Sequence, residues 1–132
     1  MISYKLYQDL RKKGGTMLWY ARAIHNQTVD LSALAERIEH NCSMTKGDVL
    51  AVLTELVVVM KDELENSNKV CLDGFGTFYI GMINKTGADE KDDWNAAEYL
   101  KGYRCGFLAE GHKNGNAITR VFTDSLKCQR AE

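Results

Sequence analysis

Proline is missing from all 132 residues, so no fixed kink punctuates the chain, and glycines and polar clusters must mark its turns. The four cysteines, Cys42, Cys71, Cys105 and Cys128, include no C-x-x-C pair, and neither a zinc site nor a redox motif is readable from them. They are expected to be reduced, mostly buried thiols of a cytoplasmic protein. No apolar run approaches the ~18 residues of a membrane helix. Met1–Leu10 holds no apolar signal core, so neither a membrane span nor a secretory signal is expected. An excess of one charge is missing too. The net charge is −1, and nucleic-acid binding cannot be argued from it.

Catalytic constellations are equally scarce. Gly74-Phe75-Gly76 lacks the third glycine of a dinucleotide fingerprint and leads into a strand pattern where the fingerprint opens a helix. No phosphate-cradling G-x-x-x-x-G-K-[ST] occurs, and His25, His40 and His112 have no metal-binding spacing. The run Asp89-Glu90-Lys91-Asp92-Asp93 lacks the glycine and terminal glutamate of a calcium loop and reads as a solvated loop. The chain is therefore not expected to be an enzyme, and no catalytic residue, metal, cofactor or small-molecule substrate is assigned.

What is present is a balance of 45% hydrophobic and 27% charged residues, which suits one domain spanning 1–132. Residues 2–10 and 17–25 read as two strands of an N-terminal β-hairpin extension, 1–27, with Gly14-Gly15 supplying the positive φ of a tight turn. Arg11, Lys12 and Lys13 fall at its tip, either as a solvated turn or as a phosphate contact. A first helix is predicted from Asp30, whose carboxylate can accept the free N–H groups of the first turn. Leu31, Leu34, Ala35, Ile38 and Cys42 make one apolar face behind it. Thr45-x-x-Asp48 is a capping-box-like start for a second helix. Its apolar positions run from Val49 through Leu53, Leu56, Val57 and Met60 to Leu64, wider than the stripe of a helix lying on one surface. A second copy of the chain is the expected partner for the excess.

Beyond Asn66-Ser67-Asn68, residues 69–81 carry a hairpin signal, 82–100 is polar and poorly periodic, and 99–108 suits a further strand. Asn116 is placed as the cap of a C-terminal helix with Ala117, Ile118, Val121, Phe122, Ser125 and Leu126 on its inner face. The class is thus α+β. Charge is uneven along it: residues 1–27 hold five basic groups against one acid, and residues 28–66 three against eight.

The stretch Lys69-Val-Cys-Leu-Asp-Gly-Phe-Gly-Thr-Phe78, behind two capped helices, resembles the HU/IHF family of bacterial histone-like DNA-binding proteins. That family reads helix, turn, helix, then a V-x-L-x-G-F-G-T-F hairpin, and the likeness runs from Asp30 to about Gly81. Tyr20-Ala21 through Thr28-Val29-Asp30-Leu31, and Thr86–Glu90, are similar to a divergent HU-related group with an N-terminal strand extension. The resemblance implies an HU-like body, 28–81, in which the helices of two protomers interlock. Leu34, Ile38, Val49, Leu53, Leu56, Val57, Met60, Leu64, Phe75 and Phe78 would form the homodimer interface. It implies a cytoplasmic, nucleoid-associated protein whose partner is double-stranded DNA.

Ordinary members extend a basic β-arm tipped by a proline that wedges between base pairs. Here the shortened arm, 82–100, sets Lys85 and Lys91 against Asp89, Glu90, Asp92, Asp93 and Glu98, so the arm mechanism is not carried over. The closing part, 101–132, supplies the strand and the terminal helix. The remaining DNA-contact candidates are Arg11, Lys12, Lys13, Arg22, Lys46, Lys69, Lys85, Lys101 and Arg104, with Lys5 beside them. The alternative is an HU-fold dimer repurposed as a protein–protein interaction module without DNA binding.

Overall fold

The computed structural model describes residues 1–11 and 14–131. In chain order its elements are β1 Ile2–Gln8, β2 Trp19–Ala23, α1 Leu31–Asn41, α2 Lys46–Glu65, β3 Val70–Leu72, β4 Gly76–Asn84, α3 Ala96–Tyr99, β5 Leu100–Ala109, β6 Gly111–Asn114, β7 Ala117–Arg120 and β8 Cys128–Arg130. A 3-10 turn lies at Lys91–Asp93. The strands form three sheets, in the orders β2-β1-β8, β3-β4-β5 and β6-β7. Every pair is antiparallel except β1–β8. The class is α+β.

Both long helices start on the residues that can cap them. The Asp30 carboxylate accepts from the Ala33 N–H at 2.9 Å, and the Thr45 Oγ1 accepts from the Asp48 N–H at 3.2 Å. Helix α2 ends in a Schellman turn: the Ser67 N–H donates to the Leu64 carbonyl and the Asn68 N–H to the Glu63 carbonyl. Ser67 takes the left-handed conformation that this turn requires, at φ 65°.

The β3–β4 hairpin explains the glycines of its motif. Gly74, at φ +80°, occupies the third position of a turn closed by the Phe75 N–H on the Leu72 carbonyl at 2.9 Å. Gly76 lies where a Cβ would come within 2.5 Å of the Leu108 carbonyl oxygen and 2.6 Å of the Phe107 ring. Phe75 then packs against Phe78, Phe107 and Phe122, at centroid distances of 6.1, 4.8 and 5.0 Å. All four phenylalanines of the chain thus meet in one cluster.

Three expectations are corrected. The C-terminal helix at Asn116–Leu126 is absent: β7 and a series of turns occupy those residues. Gly115, at φ +66°, opens a two-residue hairpin loop with Asn116, which pairs Asn114 with Ala117. The β-branched Ile118, Thr119 and Val121 that follow favour the strand over the helical period. The N-terminal strands are shorter than expected, at Ile2–Gln8 and Trp19–Ala23, although Gly14 and Gly15 between them take the expected positive φ, at 62° and 86°. The cysteines are not buried: all four are free and exposed in the single chain. A further strand was not anticipated: β8 runs parallel to β1, pairing Ile2 with Cys128 and Tyr4 with Arg130.

Where the core should be, the chain has little. Among the described residues, Ala35 and Val49 are the buried apolar side chains, at 0% and 5% exposure. The chain exposes 11058 Å² of surface, whereas a compact monomer of 14.9 kDa exposes about 7,000 Å². Leu34, Ile38, Leu56 and Val57 stand exposed, while Leu53, Met60, Leu64, Phe75 and Phe78 are half-buried. The β3–β4–β5 register puts Val70, Leu72, Phe78, Ile80, Met82, Tyr103 and Phe107 on one face, an unbroken apolar surface.

Candidate nucleic-acid interface

The cations singled out from the sequence fall into separate groups. Register places Arg104 opposite Gly81 and on the same face as Tyr79, which faces Gly106. Lys69 continues the β3 ladder by one position, which brings it opposite Tyr79 on that face. The glycines make this possible. A Cβ on Gly106 would meet the Tyr79 ring at 2.2 Å, and one on Gly81 would meet the Arg104 Nε at 2.9 Å. Tyr79 and Arg104 therefore lie flat across the sheet, with the guanidinium carbon 5.8 Å from the ring centroid. Lys85 and Lys101 flank the far end of the same ladder, where the Lys85 N–H bonds the Tyr99 carbonyl at 2.8 Å.

Between β4 and β5 the segment holds a 3-10 turn and the one-turn helix α3. Strand β4 ends at Asn84, and Asn95 caps α3 by accepting from the Glu98 N–H at 2.9 Å. Trp94 stacks with Tyr99 at 6.5 Å. Asp89, Glu90, Asp92 and Asp93 are exposed on this connection.

A second group lies on the N-terminal sheet. Lys5 sits opposite Arg22 and Tyr7 opposite Tyr20, so all four share one face. The Arg22 guanidinium lies over the Tyr7 ring at 4.9 Å. Arg11 is engaged: its Nε and terminal nitrogen donate to the two Asp9 carboxylate oxygens, each at 3.2 Å. Those side-chain hydrogen bonds, followed by the Arg11 backbone N–H, hold the Asp9 carboxyl below its ordinary range. Lys12 and Lys13 lie outside the described residues.

Lys46, at the start of α2, is drawn to Glu36 of α1 at 3.9 Å and joins neither group directly. Tyr7, Tyr20 and Tyr79 are functional candidates that the count of cations in the sequence does not reach. The alternation of Lys5 with Tyr7, and of Tyr20 with Arg22, was the available signal.

No curated protein matches the chain. Among solved structures, an Anabaena HU–DNA cocrystal structure aligns at 22% identity and a TM-score of 0.44, covering 61% of this chain and 85% of that one. Residues 1–108 match the model of HU-HIG, described as the HU domain fused to wHTH, Ig, or Glycine-rich motif. The match takes in the helical body, the glycine-bearing hairpin and the N-terminal strands together, and the chain belongs to this HU-domain family.

Proposed function

We propose that this chain is an HU-like, nucleoid-associated DNA-binding protein that works as a homodimer and contacts duplex DNA through backbone phosphates, with little sequence readout. Membership of the HU-domain family over residues 1–108 carries the reading. The clustering of Lys69 and Arg104 on one face of β3–β4–β5, with Lys85 and Lys101 at its end, supports the phosphate contacts. Arg22 and Lys5, with Arg11, Lys12 and Lys13 nearby in sequence, would extend them along the N-terminal sheet, and Lys46 would add to them from α2.

The homodimer rests on the missing core. An excess of about 4,000 Å² per chain over a compact monomer is more than each partner of an ordinary obligate pair buries, about 1,000–2,500 Å². The two copies would therefore interlock rather than touch along one face. The apolar sheet face and α2 would supply it, with Leu34, Ile38, Leu53, Leu56, Val57, Met60, Leu64, Phe75 and Phe78 at the contact; Val49, expected there too, is already buried within the single chain. DNA would approach the Tyr79–Arg104 face rather than the 85–99 connection, whose exposed acids repel phosphate. Those acids favour a second reading, an HU-fold dimer that binds a protein.

Fluorescence anisotropy of a labelled duplex of about 25 base pairs, across a salt series, tests the function. The DNA reading predicts binding in the micromolar range or tighter, with log K falling by about 0.9 per decade of salt for each phosphate neutralised. Failure to bind at low salt would reject it in favour of the protein-binding reading.

A further inference from the structure

We propose that the polar face of the N-terminal sheet is a stacking platform for single-stranded nucleic acid. The inference rests on the nucleic-acid reading above and adds to it a class of strand and a site of its own.

The two faces of this sheet differ in charge density. One carries Ile2, Tyr4 and Leu6 with Trp19, Ala21 and Ala23, and its one cation among the described residues is Arg130 on β8, opposite Tyr4. The other carries Lys5, Tyr7, Tyr20 and Arg22, with Ser3 and Gln129 beside them. Lys5 thus pairs with Arg22 and Tyr7 with Tyr20 across the strands, and the Asp9 carboxylate, held by Arg11, follows at the end of the face. Tyr7 and Tyr20 are each 45% exposed. Next to them an open cleft of about 460 Å³ is lined by Tyr7, Tyr20, Arg22, Asp9 and Arg11, with Gln8 and Leu10.

The chemistry of this surface selects its ligand. Rings and guanidinium planes offer π-faces to which an unpaired base can stack, and the neighbouring ammonium and guanidinium charges follow a phosphate backbone. The Arg22 guanidinium carbon lies 4.9 Å from the Tyr7 ring centroid, which keeps a cation and a ring together at the place a base would stack. A duplex keeps its bases stacked on one another and would leave both tyrosines idle. The Asp9–Arg11 pair closes the rim without adding net charge.

The test compares labelled oligothymidylate of about 15 nucleotides with the duplex probe, using the full chain. Wild-type protein should bind both. Tyr20→Leu should weaken the single strand at least about fivefold, as loss of one stacked base does, and change the duplex by less than about twofold. Tyr20→Phe, which keeps the ring, should bind the single strand as wild type does. Arg22→Lys keeps the charge and loses the plane, so it should also weaken the single strand, and it reads out the platform even if Tyr20→Leu does not fold.

Equal losses on both probes, or full single-strand affinity in both Tyr20→Leu and Arg22→Lys, would overturn the platform. So would poly-glutamate binding that matches the oligothymidylate and falls with it in Tyr20→Leu, which would make the face a site for acidic proteins. Duplex binding without single-strand binding would overturn the platform and leave the duplex reading standing. Binding to neither would reject both.

Discussion

In the β3–β4–β5 sheet one face carries Val70, Phe78, Ile80, Met82 and Phe107, whereas a face of the β2–β1–β8 sheet carries Lys5, Tyr7, Tyr20 and Arg22. Both surfaces stand open in the single chain. Ile80 and Tyr20, for example, are similarly exposed. Exposure alone does not distinguish them; the cost of exposure does. Apolar area left in water forgoes about 25 cal/mol per Å², so the first surface demands a permanent cover. Charged and phenolic groups are already solvated, so the second can wait for a ligand. One sheet is thus read as half of an interior and the other as a binding surface.

The largest effect should come from placing one charge on each side of that contrast. Ile80→Asp puts a carboxylate on the apolar sheet face where a second copy is proposed to pack, and an unpaired buried charge costs about 3–5 kcal/mol. Its thermal midpoint and its association should both collapse. Tyr20→Asp, at a position of comparable exposure, should lose no more than about 1 kcal/mol, the worth of a cross-strand pair. Equal losses in thermal unfolding would erase the distinction between the sheets.

Gly76→Ala should follow, at about 1–3 kcal/mol, because its Cβ meets a backbone carbonyl that cannot step aside. The same change at Gly102, where a Cβ meets open space, should be close to neutral in the same denaturation assay. Thr45→Ala removes the α2 cap and should cost about 1 kcal/mol by urea unfolding.

The smallest effect sharpens the binding side. Asp9→Asn releases Arg11 and should raise duplex affinity by no more than about fivefold, the ceiling for an exposed ion pair. The Asp9 carboxyl is held below its ordinary range, so the pair persists at neutral pH and breaks only as pH falls through that lowered value. The advantage of Asp9→Asn in anisotropy titrations should therefore shrink under strongly acidic conditions.

Local signals were legible in the sequence. Asp30 and the Thr45–Asp48 pair announce their helices because a cap is made within four residues. Gly74 and Gly76 mark their hairpin because one needs positive φ and the other needs space. Signals that depend on distant partners were not legible. Ala117, Ile118, Val121 and Phe122 fit a helical period, yet a glycine-led turn and β-branched residues draw part of that run into β7. Strand β8 is short, and its partner lies at the opposite end of the chain. The candidate site shares this limit. Lys69, Tyr79 and Arg104 come together through the register of two hairpin pairings, and Lys5 meets Arg22 across a connection spanning residues 9–18.

The central claim is that this chain holds half of a core and that a second copy holds the other half. Sedimentation equilibrium at micromolar concentration measures it directly. The account predicts a mass of twice the 14.9 kDa of one chain, with no folded monomer on dilution. A cooperatively folded species of 14.9 kDa would contradict it.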